Sequence, residues 1–213
     1  SGHQNQARAI ADAAEFPHLV EQRNIDLRLI YGSWKFGNAV LSKFPIVNVQ
    51  PIDYPRLSGW EHVLVGSKQG CVCTLQLSPT QQLRVVPVHL EHRSRTTRTG
   101  SAESLIAFAN ASDIPMLAAG DFNSVESAFA DSPPLDRDKS AIDLLHESEA
   151  FCFPSRRGSQ NNTGEPTFPA NAPQRQIDWI LAPDGWSFAE YRVLEDVLSD
   201  HRAVLAVLNV SRP

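Results

Sequence analysis

The fold is decided by residues 116–123, which read Met-Leu-Ala-Ala-Gly-Asp-Phe-Asn. The apolar start of this stretch predicts a buried strand, and Asp121 and Asn123 come just past the strand's C-terminal end. Open α/β sheets place ligands at that end, and two-residue spacing points both side chains the same way if the strand continues. Gly-Asp-x-Asn is also good turn chemistry. The stretch therefore predicts either a ligand-facing pair or a plain turn.

An acid and an imidazole are adjacent near the C-terminus, where Ser199-Asp200-His201 precedes another apolar run. Aspartate prefers hard cations such as magnesium, and histidine transfers protons near neutral pH. Asp178 lies inside the apolar segment 176–181, where a carboxylate is costly to bury without a partner. His201 is the obvious partner, because a carboxylate orients a catalytic imidazole. The alternatives are a helix cap followed by a surface histidine, and an inward-pointing edge-strand charge at Asp178.

A further imidazole ends the apolar run 85–88. His89 is followed by a charged cluster made of Glu91, His92, Arg93, Arg95 and Arg98. An imidazole and arginines near a strand end are suited to holding a phosphate. A solvated charged loop is the alternative, and we favour it for most of these arginines and for His92. For His89 itself the two interpretations stay open.

Composition bounds the class of protein. The chain has 213 residues, of which 42% are apolar, and this fits one domain with a substantial core or at most two small domains. The net charge of −5 argues against gripping nucleic acid by bulk charge alone, although a local basic groove is compatible with it. Three cysteines without a CxxC pair predict neither a zinc site nor a disulfide framework, and Cys71 and Cys73 are expected to share one strand face. No apolar run has the length of a transmembrane helix.

Hydrophobic periodicity outlines the elements. Helices are predicted at 7–14, 101–111 and 139–146, and strands at 27–31, 39–41, 46–49, 63–65, 71–77, 83–88, 116–119, 176–181, 188–193 and 203–210. Turn residues at 68–70 and 78–80 predict hairpins and a largely antiparallel first half. Residues 155–173 are rich in Ser, Asn, Gly and Pro and are predicted to form a long loop. The pattern favours sheets packed face to face with helices outside, in one domain.

The order of these segments resembles the endonuclease/exonuclease/phosphatase superfamily, whose members include deoxyribonuclease I-like nucleases. Residues 37–46 resemble the family's strand before its long hairpin, and 88–92 resemble its Thr-His-Leu-Asp-His element with Val and Glu substituted. Residues 120–123, 167–169 with 177–180, and 199–201 resemble its Gly-Asp-x-Asn, Thr-Phe-Pro with Ile-Asp-Tyr-Ile, and Ser-Asp-His elements. Any one motif is weak, but five in family order are specific.

The resemblance implies a mixed α/β (α+β) fold, a four-layered α/β sandwich of two packed mixed or antiparallel sheets with outer helices. It also implies hydrolysis of a phosphoester that depends on magnesium or manganese. In the catalytic roles implied, His201 is the general base or water-orienting imidazole and Asp178 holds it. Asp121 positions the attacking water or a protonated partner. His89 helps to stabilise the charge that develops on the phosphate.

The resemblance further implies binding roles. Asn123 and His89 would bind phosphoryl oxygens, and Asn38 would border the pocket. Asp200 would help to hold the metal ion. The substrate class is a phosphodiester in nucleic acid, in a lipid headgroup or in a small phosphoester. The acidic net charge favours a small diester or lipid headgroup over long nucleic acid.

Two departures from the family pattern stand out. The arginine that usually precedes Ile-Asp is replaced by Gln176, with Arg175 one position earlier, which puts a phosphate contact there in doubt. No residue matches the family's metal-binding glutamate, because Glu15 and Glu21 are wrongly placed. We therefore expect residues 1–213 to form a single, N-terminally incomplete domain, either truncated or completed by a clipped N-terminal fragment. A catalytically impaired binding or scaffold module is the competing hypothesis. Oligomeric state and compartment stay open, with the cytoplasm favoured.

Overall fold

The computed structural model describes residues 5–29, 32–55, 70–127, 139–154 and 165–210. This part of the chain contains the helices α1 (Gln6–Ala13), α2 (Arg95–Asn110) and α3 (Ala141–Glu147). Its strands are β1 (His18–Leu29), β2 (Gly32–Ser42), β3 (Ile46–Ile52), β4 (Gly70–Ser78), β5 (Gln81–His89), β6 (Met116–Asp121), β7 (Phe151–Cys152), β8 (Asp178–Pro183), β9 (Ser187–Val193) and β10 (Val204–Asn209). The strand predicted at 63–65 and most of the hairpin predicted at 68–70 lie outside the described residues.

Polar caps decide where the helices begin. The Asn5 side chain accepts from the backbone of Arg8 at 3.0 Å, and Ser140 forms a capping box with Asp143 at the start of α3. All three predicted helices are confirmed. However, α2 begins at Arg95, earlier than predicted, because Ser94 caps it by accepting from Thr97 N. Apolar periodicity had placed its start only at the first buried turn.

Six strands form the main sheet in the order β3-β4-β5-β6-β8-β7. The β5–β6 pair is parallel and the other pairs are antiparallel, so the antiparallel first half is confirmed. Two further antiparallel pairs, β1–β2 and β9–β10, form separate ribbons. The first of these begins at His18, well before the predicted strand at 27–31, since its polar residues hide the strand signal.

Along each strand of the main sheet, successive side chains lie on opposite faces of the sheet. Val86, Ala118 and Leu181 join the large core cluster that also contains buried residues of α2 and α3. On the opposite face, Cys71 and Cys73 pack with Val40 of β2, as expected for cysteines that share a strand face. Another cluster there joins the main sheet to β9 and β10. The mixed α/β fold of packed sheets with outer helices is therefore confirmed.

Helix α2 is fastened to β5 by two buried arginines. The Arg84 guanidinium donates to four carbonyls at the C-terminal end of α2 and just beyond it, those of Phe108, Ala109, Ser112 and Ile114, at 2.8–3.2 Å. Arg98 donates to the carbonyl of Glu91 at 2.8 Å, just after β5. Glu91 and Arg98 are each only 4% exposed. A solvated loop is therefore the wrong interpretation for these two residues, whereas His92 and Arg93 are exposed as expected.

Three polar residues lie at one level of three neighbouring strands. His89 of β5 pairs in register with Asp121 of β6, which pairs with Asp178 of β8. Their sequence neighbours Val88, Phe122 and Trp179 belong to the core on the helix side. Since successive side chains of a strand point to opposite faces, the three polar residues point away from α2 and α3. The sheet thus gathers them on the face that carries the ribbons.

Gly120 allows β5 and β6 to come close enough for this register. Its φ of +139° is unfavourable for residues with a side chain, and a Cβ built there would lie 2.1 Å from the carbonyl oxygen of Val88. Gly185, in the turn after β8, also has a positive φ, of +75°, but a Cβ there would meet nothing within 4 Å.

We expect Gly120→Ala to lower the free energy of unfolding by about 3–5 kcal/mol, because the methyl group forces β5 and β6 apart as well as straining the backbone. Gly185→Ala is the matched control and is expected to cost about 1 kcal/mol from backbone strain alone. Urea unfolding followed by circular dichroism measures both. Equal losses in the two variants would show that the close approach at Val88 is unimportant.

Candidate active site

The centre of the site is a carboxylate–imidazole pair. His201 Nδ1 lies 2.8 Å from Asp178 Oδ2, and both side chains are partly buried. A proton on Nδ1 donated to Asp178 leaves Nε2 as the basic nitrogen of the ring. This is the partnership expected from the buried position of Asp178. The alternative of a surface histidine does not hold, because His201 is partly buried against Asp178. The two-residue strand β7 pairs with β8 only at Ala182 and Pro183, so β6 is the strand that neighbours Asp178.

Thr167 holds the Asp178–His201 pair through its hydroxyl group, and no sequence pattern had indicated it as a functional residue. Its side chain is fully buried, and its hydroxyl donates to Asp178 Oδ2 at 2.6 Å. The Thr167 hydroxyl oxygen in turn accepts from the backbone N–H groups of Ile177 and Asp178 at 3.3 and 3.2 Å. A threonine in a polar loop has no local signature for this role, since only the folded loop brings it to β8.

The loop that carries Thr167 also holds His201 from its other side. The rings of Phe168 and His201 lie 4.8 Å apart between centroids. Backbone bonds of 2.8 Å run from Ala170 N to Asp200 O and from Arg202 N to Thr167 O. The described part of the predicted long loop is thus bonded to the segment around the imidazole, and it restricts the orientation of the ring.

Asp121 and Asn123 converge through hydrogen bonds. Asp121 accepts from the Asn123 backbone at 2.7 Å and from its side-chain amide at 2.9 Å, and that amide also donates to Leu90 O at 3.1 Å. Asn123 has a φ of +47°, a conformation that asparagine tolerates, so the strand does not continue as expected. Both interpretations of this stretch therefore hold: it is a turn, and the turn brings an amide against a carboxylate.

His89 completes this second group. Its Nε2 lies 3.7 Å from Asp121 Oδ2, as the register between β5 and β6 requires. Asp121 therefore contacts His89 on one side and Asn123 on the other. The in-register pairing of Asp121 with Asp178 places this group beside the His201 pair.

The carboxylates control the charge of His201. Burial lowers the pKa of His201, but the hydrogen bond and charge of Asp178, with the charges of Asp121 and Asp200, together raise it above its ordinary value. Asp200 is exposed, and a 2.9 Å hydrogen bond from the Ser199 hydroxyl lowers the pKa of its carboxyl group. At neutral pH the site therefore presents several negative charges around one imidazole.

Two other predicted positions lie at the edge of this arrangement. Asn38 Nδ2 donates to the carbonyl of Pro87 at 3.4 Å, which places it over β5 two residues before His89. Gln176 is buried, and its side chain accepts from Glu165 N at 3.0 Å. Gln176 is thus a structural residue, and it is not available for a phosphate contact.

The oxygen donors of the site suit magnesium in type. Within the described ranges, no three Asp, Glu, His or Cys side chains form a group able to hold a metal. Magnesium commonly uses one or two carboxylates and completes its shell with water and substrate phosphate. The exposed carboxylate of Asp200, oriented by Ser199, fits that mode of binding.

Residues 2–201 match the Endonuclease/Exonuclease/phosphatase family, and the chain belongs to this family. Membership supports a phosphoester hydrolase. No curated protein matched the chain in sequence. Among the described residues, no helix has both the length and the apolar character needed to cross a membrane. No finding supports the expected clipped N-terminal fragment.

Solved structures share the fold at low sequence identity. An endonuclease/exonuclease/phosphatase from Beutenbergia cavernae is similar with a TM-score of 0.69 and 19% identity, over 98% of this chain and 58% of the other. A mannosyl-6-phosphatase from Bacteroides thetaiotaomicron is similar with a TM-score of 0.65 and 17% identity, over 96% and 81%. The catalytic domain of human Nocturnin is similar with a TM-score of 0.66 and 13% identity, over 96% and 76%.

We expect Thr167→Val to lower the free energy of unfolding by about 3 kcal/mol, because a carboxylate and two backbone N–H groups lose a buried partner. Thr167→Ser keeps the hydroxyl and loses one methyl group, at a cost of about 1 kcal/mol. Urea unfolding of the parent and the two variants measures their free energies of unfolding, which are expected to fall in the order parent, Thr167→Ser, Thr167→Val. A Thr167→Val protein as stable as the parent would contradict the role assigned to the hydroxyl.

Proposed function

We propose that this chain is a divalent-metal-dependent phosphoesterase that hydrolyses a phosphodiester by attack of water. The observation that carries the proposal is the chain of contacts Thr167–Asp178–His201 on a sheet face shared with Asp121 and His89. An imidazole fixed by a buried carboxylate is suited to general base catalysis. The neighbouring amide and imidazole are suited to stabilising charge on phosphoryl oxygens.

Each residue has a role in this mechanism. His201 accepts a proton at Nε2 from the attacking water, while Asp178 keeps the ring oriented through Nδ1. Asp121 orients the water and holds the amide of Asn123. Asn123 and His89 bind the phosphoryl oxygens, and Asn38 borders the pocket beside them. Proximity and preorganised dipoles supply most of the rate enhancement in such a site.

Asp200 would hold magnesium or manganese, which would offset the negative charge of the phosphate when bound. The chain itself contributes the exposed carboxylate and the Ser199 hydroxyl that orients it. Overall acidity favours a small phosphodiester or a lipid headgroup over long nucleic acid as substrate. A mannosyl-6-phosphatase among the structural relatives is compatible with a small substrate.

We expect His201→Ala and Asp178→Asn to lower kcat by about 10²–10⁴-fold, since the first removes the base and the second loses the charge that orients it. His146→Ala is the control, because His146 is exposed on α3 and packs against Phe153 away from the site. Initial rates with bis(p-nitrophenyl) phosphate, p-nitrophenyl phosphate and single-stranded DNA measure the effect and rank the substrate classes.

Hydrolysis that persists in His201→Ala would rule out this mechanism. If the parent hydrolyses none of the three substrates with Mg²⁺ or Mn²⁺, the non-catalytic binding module becomes the better account. Faster turnover of the polymer than of the small diester would reverse the substrate preference.

We expect metal removal with a chelator to abolish hydrolysis and added Mg²⁺ or Mn²⁺ to restore it. Asp200→Asn is expected to raise the metal concentration at half-maximal rate by about tenfold, because one anionic oxygen donor becomes neutral. Asp184→Asn, an exposed aspartate in the turn after β8, is the matched control. An unchanged metal requirement in Asp200→Asn would remove Asp200 from the metal site.

A further inference from the structure

One aromatic ring contacts both the imidazole of the site and an exposed guanidinium group. The ring of Phe168 lies 4.8 Å from that of His201, and the guanidinium carbon of Arg175 lies 5.1 Å from the Phe168 centroid. This separation is within the range of cation–π attraction. Arg175 is therefore held beside the site although its side chain is exposed.

The backbone fixes the same position. Phe168 N donates to Arg175 O and Arg175 N donates to Phe168 O, each at 3.0 Å, so the two residues form a small antiparallel bridge. The next residue, Gln176, is buried and bonded to Glu165 N. Because neighbouring residues alternate across such a bridge, burial of Gln176 leaves Arg175 on the outer side.

The guanidinium of Arg175 has its N–H groups available. Among the described residues, no carboxylate lies within ion-pair distance of it, and its guanidinium makes no hydrogen bond to them. Other described arginines are engaged: Arg202 donates to Ala170 O at 2.8 Å, and Arg192 contacts Glu190 at 2.8 Å. The guanidinium of Arg175 thus differs from those of Arg202 and Arg192, because its contact is with the face of the Phe168 ring.

The positive charge of Arg175 is opposite to that of the carboxylates around His201. Asp121, Asp178 and Asp200 all act on His201, so an approaching phosphoester meets a negative field. A fixed guanidinium at the rim offsets this repulsion, and its planar fork matches two phosphoryl oxygens. The neighbouring glutamine cannot replace it, because Gln176 is inside the protein.

We propose that Arg175 is a substrate-binding residue that holds non-bridging phosphoryl oxygens of the phosphoester, and that Phe168, whose ring also contacts His201, is the positioning residue that holds its guanidinium. The proposal rests on the phosphoesterase function proposed above. It assigns the phosphate contact to a different position from the one that the sequence resemblance pointed to.

The test is binding of inorganic phosphate to the metal-free protein, followed by the NMR shift of the Arg175 Nε–Hε signal and by calorimetry. We expect Arg175→Gln to raise the phosphate dissociation constant about tenfold, because a charge-assisted bidentate contact is lost. Arg175→Lys keeps the charge without the planar fork, so its dissociation constant is expected to fall between the two. Arg192→Gln is the matched control and is expected to bind phosphate like the parent.

Phe168→Leu tests the positioning role. Phe168→Leu is expected to raise the phosphate dissociation constant less than Arg175→Gln does. In a Phe168→Leu protein, Arg175→Gln is expected to raise the dissociation constant by a smaller factor than in the parent, since the two residues act together. Additive effects would show that the ring does not position the guanidinium. Circular dichroism of each variant establishes that it is folded.

Kinetics separate this proposal from the proposed function. With bis(p-nitrophenyl) phosphate, Arg175→Gln is expected to raise KM about tenfold and to change kcat much less, whereas His201→Ala lowers kcat. Phosphate that binds Arg175→Gln as tightly as the parent, or does not bind the parent, would overturn the role of Arg175. Hydrolysis that survives in His201→Ala would overturn the mechanism while the phosphate titration still decides the role of Arg175.

Discussion

The site depends on the close parallel contact between β5 and β6. Only a residue without a side chain fits at Gly120, where a Cβ would lie 2.1 Å from the Val88 carbonyl oxygen. That contact sets His89 opposite Asp121, and the antiparallel pairing of β6 with β8 sets Asp121 opposite Asp178. Three strands that are far apart in sequence thereby deliver their polar end residues to one face. The large core on the other face holds the register in place.

A second constraint acts from the loop after residue 165. Thr167 and Phe168 are adjacent, yet the hydroxyl of the first bonds to Asp178 and the ring of the second packs against His201. The same loop presents Arg175 on the outer side of Phe168. One short segment therefore orients the base of the proposed reaction and supplies a cation for its anionic substrate. The low dielectric around the fully buried Thr167 strengthens the hydrogen bond that starts this chain of contacts.

Several features of the site were accessible from local sequence because their cause is local. An apolar run followed by Gly-Asp-x-Asn predicted a strand with polar groups at its end, and an aspartate in an apolar strand predicted a buried partner. The partner His201 was identified because a buried carboxylate needs one. Thr167 was not, because its hydroxyl reaches Asp178 through a loop whose path no residue pattern reports. Arg98 was grouped with a solvated charged loop for the same reason, since its burial against Glu91 depends on α2 packing against β5.

The sequence by itself determined the mixed α/β class, the shared strand face of Cys71 and Cys73 and the family, because periodicity and motif order are properties of the linear chain. The tertiary structure alone decided which polar residues meet. It placed Asn123 in a left-handed turn against Asp121, turned Gln176 inward and left Arg175 outside on the ring of Phe168. The physical reason is that these contacts depend on the path of a turn or loop next to the strands, and that path follows from strand register and core packing, which no single segment encodes.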